Sequence, residues 1–338
     1  MNRHEEGTTR AMEYAHLGRS GLLVSRIALG AMNFGDATGK DEAFEVLDRA
    51  VDLGINHVDT ADVYGGPQTP DMNQGFGTSE EIIGDWLMKS GKRDEIVLAT
   101  KAYQPMGTGP NDRRLSAYHI KRACEASLRR LGTDHIDLYQ MHHVDRGTPF
   151  EEIWQAMEQL IVEGKVTYVG SSNFAGWDVA TAQLTAQQRG LFGLASEQSF
   201  YNLANRAIEQ EMIPALEHFG IGLLTWSPLA RGVLAGSEPG PDAVRRTVSG
   251  AQQQRQQYAA QLTEYEALCN QIGHDPSDVA QAWLLHQPAV TAVIAGPRTV
   301  AQLESTASAS AIELDAETLT ELDRIWPGPG VAPQSYAW

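Results

Sequence analysis

Short runs of β-branched and apolar residues alternate with longer stretches of helical periodicity from residue 27 to residue 325. Several of the short runs are apolar nearly throughout, as expected for strands of a parallel sheet that helices cover. We predict strands at residues 27–29, 55–60, 96–100, 136–141, 166–170, 194–198, 221–226 and 290–295. We predict helices at residues 41–53, 79–89, 116–131, 150–163, 176–188, 208–219, 253–271 and 314–325, with further helices beginning at 275 and near 299.

About eight strand–helix units in a row favour the α/β class and a closed (β/α)8 TIM barrel. The alternative is a doubly wound open sheet, which normally carries a Gly-x-Gly-x-x-Gly turn after its first strand, and we find no such turn here. Residues 13–24, around Gly18-Arg19-Ser20-Gly21, predict an N-terminal β-hairpin, and residues 253–271 predict an additional helix. The expected organisation is a disordered leader at 1–12, a single barrel domain at 13–326 that includes a long loop at 229–250, and a tail at 327–338.

The formal net charge of −17 at pH 7 disfavours nucleic acids and anionic membranes as partners. An anionic cofactor remains compatible with this charge, because local cations and backbone amides can override it. Two cysteines, Cys124 and Cys269, are too few for a disulfide framework or a cysteine-built metal site. No apolar run reaches membrane-spanning length, and the first residues lack the apolar core of a signal peptide. We therefore expect an intracellular, cytoplasmic protein.

Four reactive side chains lie at or just beyond the C-terminal ends of successive predicted strands. They are an acid, a phenol, an amine and an imidazole, at Asp59, Tyr64, Lys101 and His142. Because the C-terminal ends of parallel barrel strands meet at one mouth, we expect these side chains to converge there.

The chemistry of this set centres on the phenol, which has an ordinary pKa of about 10 and is a poor proton donor near neutrality. We expect Lys101 to lower the pKa of Tyr64 by placing positive charge beside the phenolic oxygen, and Asp59 to hold the ammonium group. Tyr64 could then protonate a carbonyl oxygen, while His142 hydrogen-bonds and orients the same oxygen. No side chain in the set supplies electrons, so a nicotinamide is the natural cofactor.

Each of the four side chains also has an ordinary structural explanation when it is taken alone, as a turn, surface or packing residue. Their joint placement at strand ends favours catalysis instead. His143 and Asp145 lie beside His142 and suggest metal ligation as an alternative. Since the ammonium group of Lys101 would repel a cation in the same cavity, we expect no metal.

The motifs around these residues resemble those of the aldo-keto reductase family, from about residue 13 to residue 326. Residues 59–65 resemble the family's Asp-Thr-Ala-x-x-Tyr-Gly, and Thr100-Lys101 and residues 137–142 match the positions of its lysine and histidine. The resemblance implies ordered binding of NADPH and hydride transfer to an aldehyde or ketone, with Tyr64 as the general acid.

The resemblance also implies residues that hold the nicotinamide. Gly170-Ser171-Ser172-Asn173-Phe174 is similar to the family's Gly-x-Ser-Asn-Phe, so Ser172 and Asn173 should bind the carboxamide. Gln198 matches the glutamine that shares this contact. Trp226 occupies the position of the aromatic ring that stacks on the nicotinamide.

The phosphates of the cofactor are assigned by the same resemblance. Ser227 and Leu229 should meet the pyrophosphate through their backbone. Gly296 and Arg298 belong to a segment similar to the adenosine-phosphate site, with Arg298 on the 2′-phosphate and Gln302 beside it. Ser305-Thr306 replaces the Glu-Asn that many members have near the adenine, which leaves that contact unassigned.

Met32, Phe34, Tyr103 and His143 lie just past strand ends and are expected to line the substrate pocket, together with the long turn at residues 66–78. The opening Ala31-Met32-Asn33-Phe34-Gly35 and this turn look more like bacterial sugar-aldehyde and deoxysugar reductases than like animal aldose reductases. A keto sugar or a secondary-metabolite ketone is therefore the expected small-molecule carbonyl substrate.

Two other functions stay open on the sequence. Potassium-channel β subunits share this fold and keep the four residues, so an NADPH-binding regulatory subunit is the main alternative. A metal-dependent barrel lyase or isomerase is the other. The resemblance is also compatible with homo-oligomers, from dimers to octamers.

Overall fold

The computed structural model describes residues 12–236, except residues 68 and 70, and residues 249–337. An antiparallel hairpin of β1 (Tyr14–His16) and β2 (Leu23–Ser25) precedes eight parallel strands that close into a barrel. The barrel strands are β3 (Ile27–Gly30), β4 (His57–Asp59), β5 (Val97–Ala102), β6 (Ile136–Met141), β7 (Val166–Ser172), β8 (Leu194–Phe200), β9 (Gly222–Trp226) and β10 (Val290–Ala295). Each pairs with the next along the chain, and β10 closes the barrel by pairing with β3. The predicted (β/α)8 barrel with its hairpin is confirmed, and the open-sheet alternative is wrong.

Helices surround the barrel in the expected alternation. They are α1 (Lys40–Asp52), α2 (Thr78–Ser90), α3 (Ala117–Leu131), α4 (Phe150–Val162), α5 (Gly176–Gln188), α6 (Met212–Phe219), α7 (Ser249–Gln257), α8 (Ala259–Ile272), α9 (Pro276–His286), α10 (Val300–Ala309), α11 (Ala316–Ile325) and α12 (Gln334–Ala337). Within the described part of the chain, none of them combines the length and the apolar character that a membrane crossing requires.

The hairpin covers the N-terminal end of the barrel. Its residues Leu17 and Val24 are fully buried in the core inside the barrel. Gly18 has a φ of 56°, and a Cβ atom there would lie 2.5 Å from the backbone nitrogen of Gly222 at the start of β9. Because only a glycine fits this close approach, the turn seats directly on the strand ends. The four reactive side chains predicted from the sequence lie at the opposite end of the barrel.

Two predicted helices differ from the structure by more than their end residues. The α-helix predicted at 208–219 begins only at Met212, after a separate 3-10 turn at Ala207–Glu209, because Pro214 has no N–H group to continue the α-helical hydrogen bonds towards residue 210. The helix predicted at 253–271 is two helices, separated at Tyr258, whose ring packs edge-on against Trp326. The tail at 327–338 contains the short helix α12. The predicted leader (except Met12), most of the predicted loop at 229–250, and Trp338 lie outside the described residues.

Two apolar cores flank the barrel wall. The larger lies between strands and helices, and the smaller fills the barrel interior with side chains such as Ala28, Ala99, Leu138 and Ala292. Towards the C-terminal end this interior becomes polar, because alternate residues of the strands are charged or amide side chains there. That polar layer forms the floor of the candidate site.

Candidate active site

Asp59, Tyr64, Lys101 and His142 meet at the C-terminal mouth of the barrel. The Nζ atom of Lys101 lies 2.6 Å from Oδ2 of Asp59 and 3.5 Å from the Tyr64 hydroxyl. The same hydroxyl lies 3.5 Å from Nε2 of His142. Lys101 is fully buried and the other three side chains are at most 9% exposed. The structure thus brings together the four side chains that were expected to converge at the mouth.

Asp59 accepts hydrogen bonds on both carboxylate oxygens. Besides Lys101 on Oδ2, the amide nitrogens of Gln140 and Gln198 each donate to Oδ1 at 2.9 Å. Gln140 was missed by the sequence reasoning. The sequence signal for Gln140 was its place in β6, two residues before His142, which directly follows the strand. Because alternate residues of a strand face the same side, both side chains lie on the inner face of the barrel.

The environment of Tyr64 corrects one expectation. Burial raises the pKa of Tyr64 above its ordinary value, and the positive charge of Lys101 opposes this only in part. Burial is the largest single influence on Lys101 and disfavours its charged form, but Asp59 and Tyr64 together outweigh burial and raise the pKa of Lys101. In the resting site the phenol therefore keeps its proton and the amine stays charged.

His142 is neutral, because burial and then the charge of Lys101 hold the pKa of its imidazole well below the ordinary value. Its Nδ1 atom is buried without a hydrogen-bond partner among the described residues, while Nε2 faces Tyr64. A neutral imidazole can hydrogen-bond a substrate oxygen without competing with Tyr64 as the acid.

Ser172 and Asn173 form a tight turn at the end of β7. Asn173 has a φ of 58°, and its backbone N–H donates to the carbonyl of Gln198 at 3.0 Å. Its side-chain Nδ2 donates to the carbonyl of His142 at 3.1 Å, and its Oδ1 accepts from the indole of Trp226 at 3.1 Å. The residues that the resemblance assigns to the nicotinamide are thus connected to one another and to His142.

A buried carboxylate, Glu197, lies behind this turn and was also missed from the sequence. It accepts hydrogen bonds from the hydroxyls of Ser171 and Ser199 and from the backbone N–H of Phe174, the last at 3.2 Å. Burial raises the pKa of Glu197 to about 7, although these hydrogen bonds oppose the shift. Glu197 therefore ties β7, β8 and the Asn173 turn together.

The raised pKa of Glu197 makes stability depend on pH. Between its ordinary value of 4.5 and about 7, folded Glu197 holds a proton that the unfolded chain has released. The stabilisation is complete below pH 4.5 and is lost as the pH rises through about 7, a change on the order of 3 kcal/mol. Glu197→Gln should lack this loss. In urea unfolding, the free energy of unfolding of the variant should therefore rise relative to that of the wild type from pH 4.5 to pH 8. Parallel stability–pH curves for the two proteins would contradict this.

The turn after β9 holds an unusual run of left-handed residues. Ser227, Ala230 and Arg231 have φ values of 56°, 48° and 57°. The backbone N–H groups of Ala230 and Arg231 donate to the carbonyl and the hydroxyl of Ser227 at 3.0 and 3.1 Å, so the turn is closed by its own hydrogen bonds. The exposed guanidinium of Arg231 is the cation that this turn offers to an anion. Ser227 and Leu229 were expected here, whereas Arg231 was not. Trp226, just before the turn, stacks on Phe200 with ring centroids 4.7 Å apart.

A second segment that is suited to an anion follows β10 at the same end of the barrel. Gly296 is exposed, and its carbonyl accepts from the side chain of Asn33 at 2.8 Å. Gln302 accepts from the backbone N–H of Arg298 at 2.8 Å, and Thr299 caps α10. Within the described residues, the guanidinium of Arg298 takes part in no ion pair.

Aromatic side chains form one wall of the mouth. The rings of Tyr64 and His142 meet edge to face at 5.6 Å, His143 stacks on His142 at 5.0 Å, and Tyr103 meets His143 at 5.3 Å. Burial lowers the pKa of His143, as does the charge of Lys101. This wall is therefore uncharged near neutrality.

Methionines form an apolar cluster on the other side of Tyr64. Met32, Met72 and Met106 pack around Ala61, Val63 and Tyr64. Met72 and Met106 come from the long turns and were not singled out in the sequence. Phe34, predicted to line the pocket, is instead fully buried in the core between strands and helices, because the turn folds back there and Phe34 pairs with Thr38. Among the described residues, no group of three or more potential metal ligands is found.

Comparisons with known proteins agree with this geometry. The family model described as "Aldo/keto reductase family" matches residues 26–327. The chain is 47% identical to the uncharacterized oxidoreductase YrpG of Bacillus subtilis, over 97% of this chain and 100% of that protein. It is 32% identical to the versiconal hemiacetal acetate reductase of Aspergillus parasiticus, over 95% and 99% of the two chains. It is also 32% identical to a probable voltage-gated potassium channel subunit beta of Arabidopsis thaliana, over 96% and 100%.

Proposed function

The chain belongs to the aldo/keto reductase family, and on that premise we propose that it transfers hydride from NADPH to an aldehyde or ketone, with Tyr64 as the general acid. The observation that carries this proposal is the position of the Tyr64 hydroxyl, 3.5 Å from both Lys101 Nζ and His142 Nε2. One group beside the phenol is a cation and the other is a neutral hydrogen-bonding ring.

Each of these residues has a role in moving one proton. Tyr64 carries the proton in the resting enzyme and gives it to the carbonyl oxygen as negative charge develops there. Lys101 then stabilises the phenolate that remains, and it is already fixed by Asp59, so no reorganisation is needed. His142 orients the same oxygen through Nε2.

The residues at the mouth fit a nicotinamide dinucleotide phosphate. Such a cofactor supplies the hydride that no side chain can supply. Ser172, Asn173 and Gln198 offer amide and hydroxyl groups for the carboxamide, and Trp226 offers an aromatic surface. The turn after β9, through the exposed guanidinium of Arg231, and the N-terminal end of α10 offer two sites for phosphate groups.

The walls of the mouth favour an uncharged, apolar carbonyl compound. The ring wall is neutral, and methionines such as Met32 and Met106 adapt to flat apolar molecules. Relatives named versiconal hemiacetal acetate reductase and norsolorinic acid reductase point the same way, towards a secondary-metabolite ketone rather than a keto sugar.

A panel assay tests the proposed function. The wild type with NADPH and a set of aromatic ketones, aromatic aldehydes and aldoses should consume NADPH, measured by loss of the absorbance of the reduced nicotinamide, and should favour the aromatic compounds. No NADPH oxidation with any carbonyl compound would contradict the proposal.

The relatives named as potassium channel β subunits support a second candidate, an NADPH-binding regulatory subunit. The four mouth residues do not separate it from a reductase. NADPH binding without turnover, together with recovery of a channel protein from membranes by the purified chain, would favour this candidate.

The preference for NADPH over NADH should depend on Arg298. Arg298→Ala should weaken NADPH binding by about 10–100-fold, because one charge-assisted contact with the 2′-phosphate is lost. NADH lacks this phosphate, so its dissociation constant should change little. Fluorescence titration of both cofactors measures this, with Arg189→Ala, a surface ion-pair residue, as the control. Equal losses for both cofactors would contradict the assignment.

A further inference from the structure

Two buried glutamines connect the carboxylate of Asp59 to the carboxamide end of the proposed cofactor site. Gln140 is fully buried and Gln198 is 4% exposed, and both donate from Nε2 to Oδ1 of Asp59 at 2.9 Å. Gln198 also donates from Nε2 to Oε1 of Gln140 at 3.3 Å. Both hydrogens of the Gln198 amide nitrogen therefore have acceptors inside the barrel.

These hydrogen bonds determine the orientation of the Gln198 amide group, with its nitrogen towards Asp59 and Gln140. An amide has one donor end and one acceptor end. If it were rotated by half a turn, its oxygen would face a carboxylate oxygen of Asp59 and the amide oxygen of Gln140. Two repulsive oxygen pairs would replace two hydrogen bonds in a buried site. Gln198 must therefore direct its nitrogen inward, which leaves Oε1 as the atom for a ligand.

Space for this network depends on a glycine in β7. A Cβ atom at Gly170 would lie 3.1 Å from Cγ of Gln140 and 2.7 Å from the hydroxyl of Ser196. The absence of a side chain at position 170 lets the Gln140 side chain lie across the barrel interior. Gln140 is thus held by packing as well as by hydrogen bonds.

We propose that Asp59 and Gln140 act as positioning residues that hold Gln198 with its carbonyl oxygen towards the cofactor, so that the site selects a ring substituent with an N–H donor. The inference depends on the proposed NADPH binding, and it specifies which group on the nicotinamide ring the site recognises. The wild type should bind NADP+, whose carboxamide carries an NH2 group, about tenfold or more tightly than its 3-acetylpyridine analogue, because the methyl ketone leaves Oε1 of Gln198 unpaired.

Two variants should lower this ratio of dissociation constants. In Asp59→Asn, the Asn oxygen stays on Lys101, so its nitrogen faces Gln198 and favours the rotated amide. We expect the ratio of the analogue's dissociation constant to that of NADP+ to fall by about tenfold, because the Gln198 nitrogen can then donate to the acetyl oxygen. In Gln140→Leu, one of the two constraints remains, and a fall of about threefold is expected.

The matched control is Gln183→Leu. Gln183 is a fully buried glutamine of α5 that holds the backbone at Phe192 and Leu194, away from the mouth. Its loss should lower stability without changing the ratio. Binding is measured by isothermal titration calorimetry, and folding of each variant by circular dichroism.

The outcomes distinguish a failure of the proposed function from a failure of this inference alone. If NADP+ does not bind the wild type, the proposed function fails and this inference with it. If NADP+ binds and Asp59→Asn keeps the wild-type ratio, the inference alone is overturned. If Asp59→Asn does not fold, Gln140→Leu decides: a ratio equal to that of the wild type or of Gln183→Leu overturns the inference.

Discussion

Replacing Tyr64 by phenylalanine should lower kcat for carbonyl reduction by about 10²–10⁴-fold and change NADP+ affinity by less than about twofold. The hydroxyl lies between Lys101 and His142, and burial keeps it protonated by raising the pKa of Tyr64. Without it, Lys101 remains among the described residues of the site as a charged donor, but Asp59 holds this ammonium group and favours its charged form, so it gives up a proton less readily. Steady-state kinetics and a cofactor titration together measure the two effects.

The control for the Tyr64 substitution is Tyr139→Phe. Tyr139 is also buried, and its hydroxyl donates to the carbonyl of Ile120 at 3.4 Å on the outer side of the barrel wall. This variant should keep kcat close to that of the wild type. Equal turnover by Tyr64→Phe and the wild type would show that the proton comes from elsewhere.

Replacing Lys101 by methionine should affect both stability and catalysis. It leaves the Asp59 carboxylate buried without its cation, which should lower the free energy of unfolding by about 3–5 kcal/mol. It also removes the charge that stabilises the Tyr64 phenolate, so kcat should fall by at least about 10²-fold. Urea unfolding and kinetics on the same preparation measure both losses.

Two comparisons make the Lys101 prediction specific. Lys92→Met breaks a surface ion pair with Asp48 of 3.4 Å and should cost less than about 1 kcal/mol. The double variant Asp59→Asn/Lys101→Met removes both charges and should regain much of the lost stability without regaining activity. A single Lys101→Met variant as stable as Lys92→Met would show that Asp59 does not depend on this partner.

The fold and the four central residues could be predicted because both follow from local patterns. A strand ends where its apolar run ends, and in a barrel every strand end faces the same mouth. The motif that carries Asp59 and Tyr64, and the positions of Lys101 and His142, are therefore sufficient to place all four groups.

The remaining features depend on partners distant in the sequence. The alternation of β6 places Gln140 on the inner face of the barrel, but it does not show that Asp59 is its partner. Glu197 likewise gains its role from the Asn173 turn, which the pattern of β8 does not reveal. The pKa of Tyr64 could not be predicted either, since its direction depends on how far burial outweighs the charge of Lys101. Phe34 was misplaced because a residue just past a strand end can turn into the outer core as readily as into the mouth.

The most direct test of carbonyl reduction at this mouth is the fate of an isotope label. The wild type is incubated with benzaldehyde and NADPH that carries deuterium at the transferable position of the reduced ring, and the alcohol is analysed by mass spectrometry. We expect one deuterium on the carbinol carbon of the product. Consumption of the labelled cofactor with no deuterium in the alcohol would contradict hydride transfer to a carbonyl carbon.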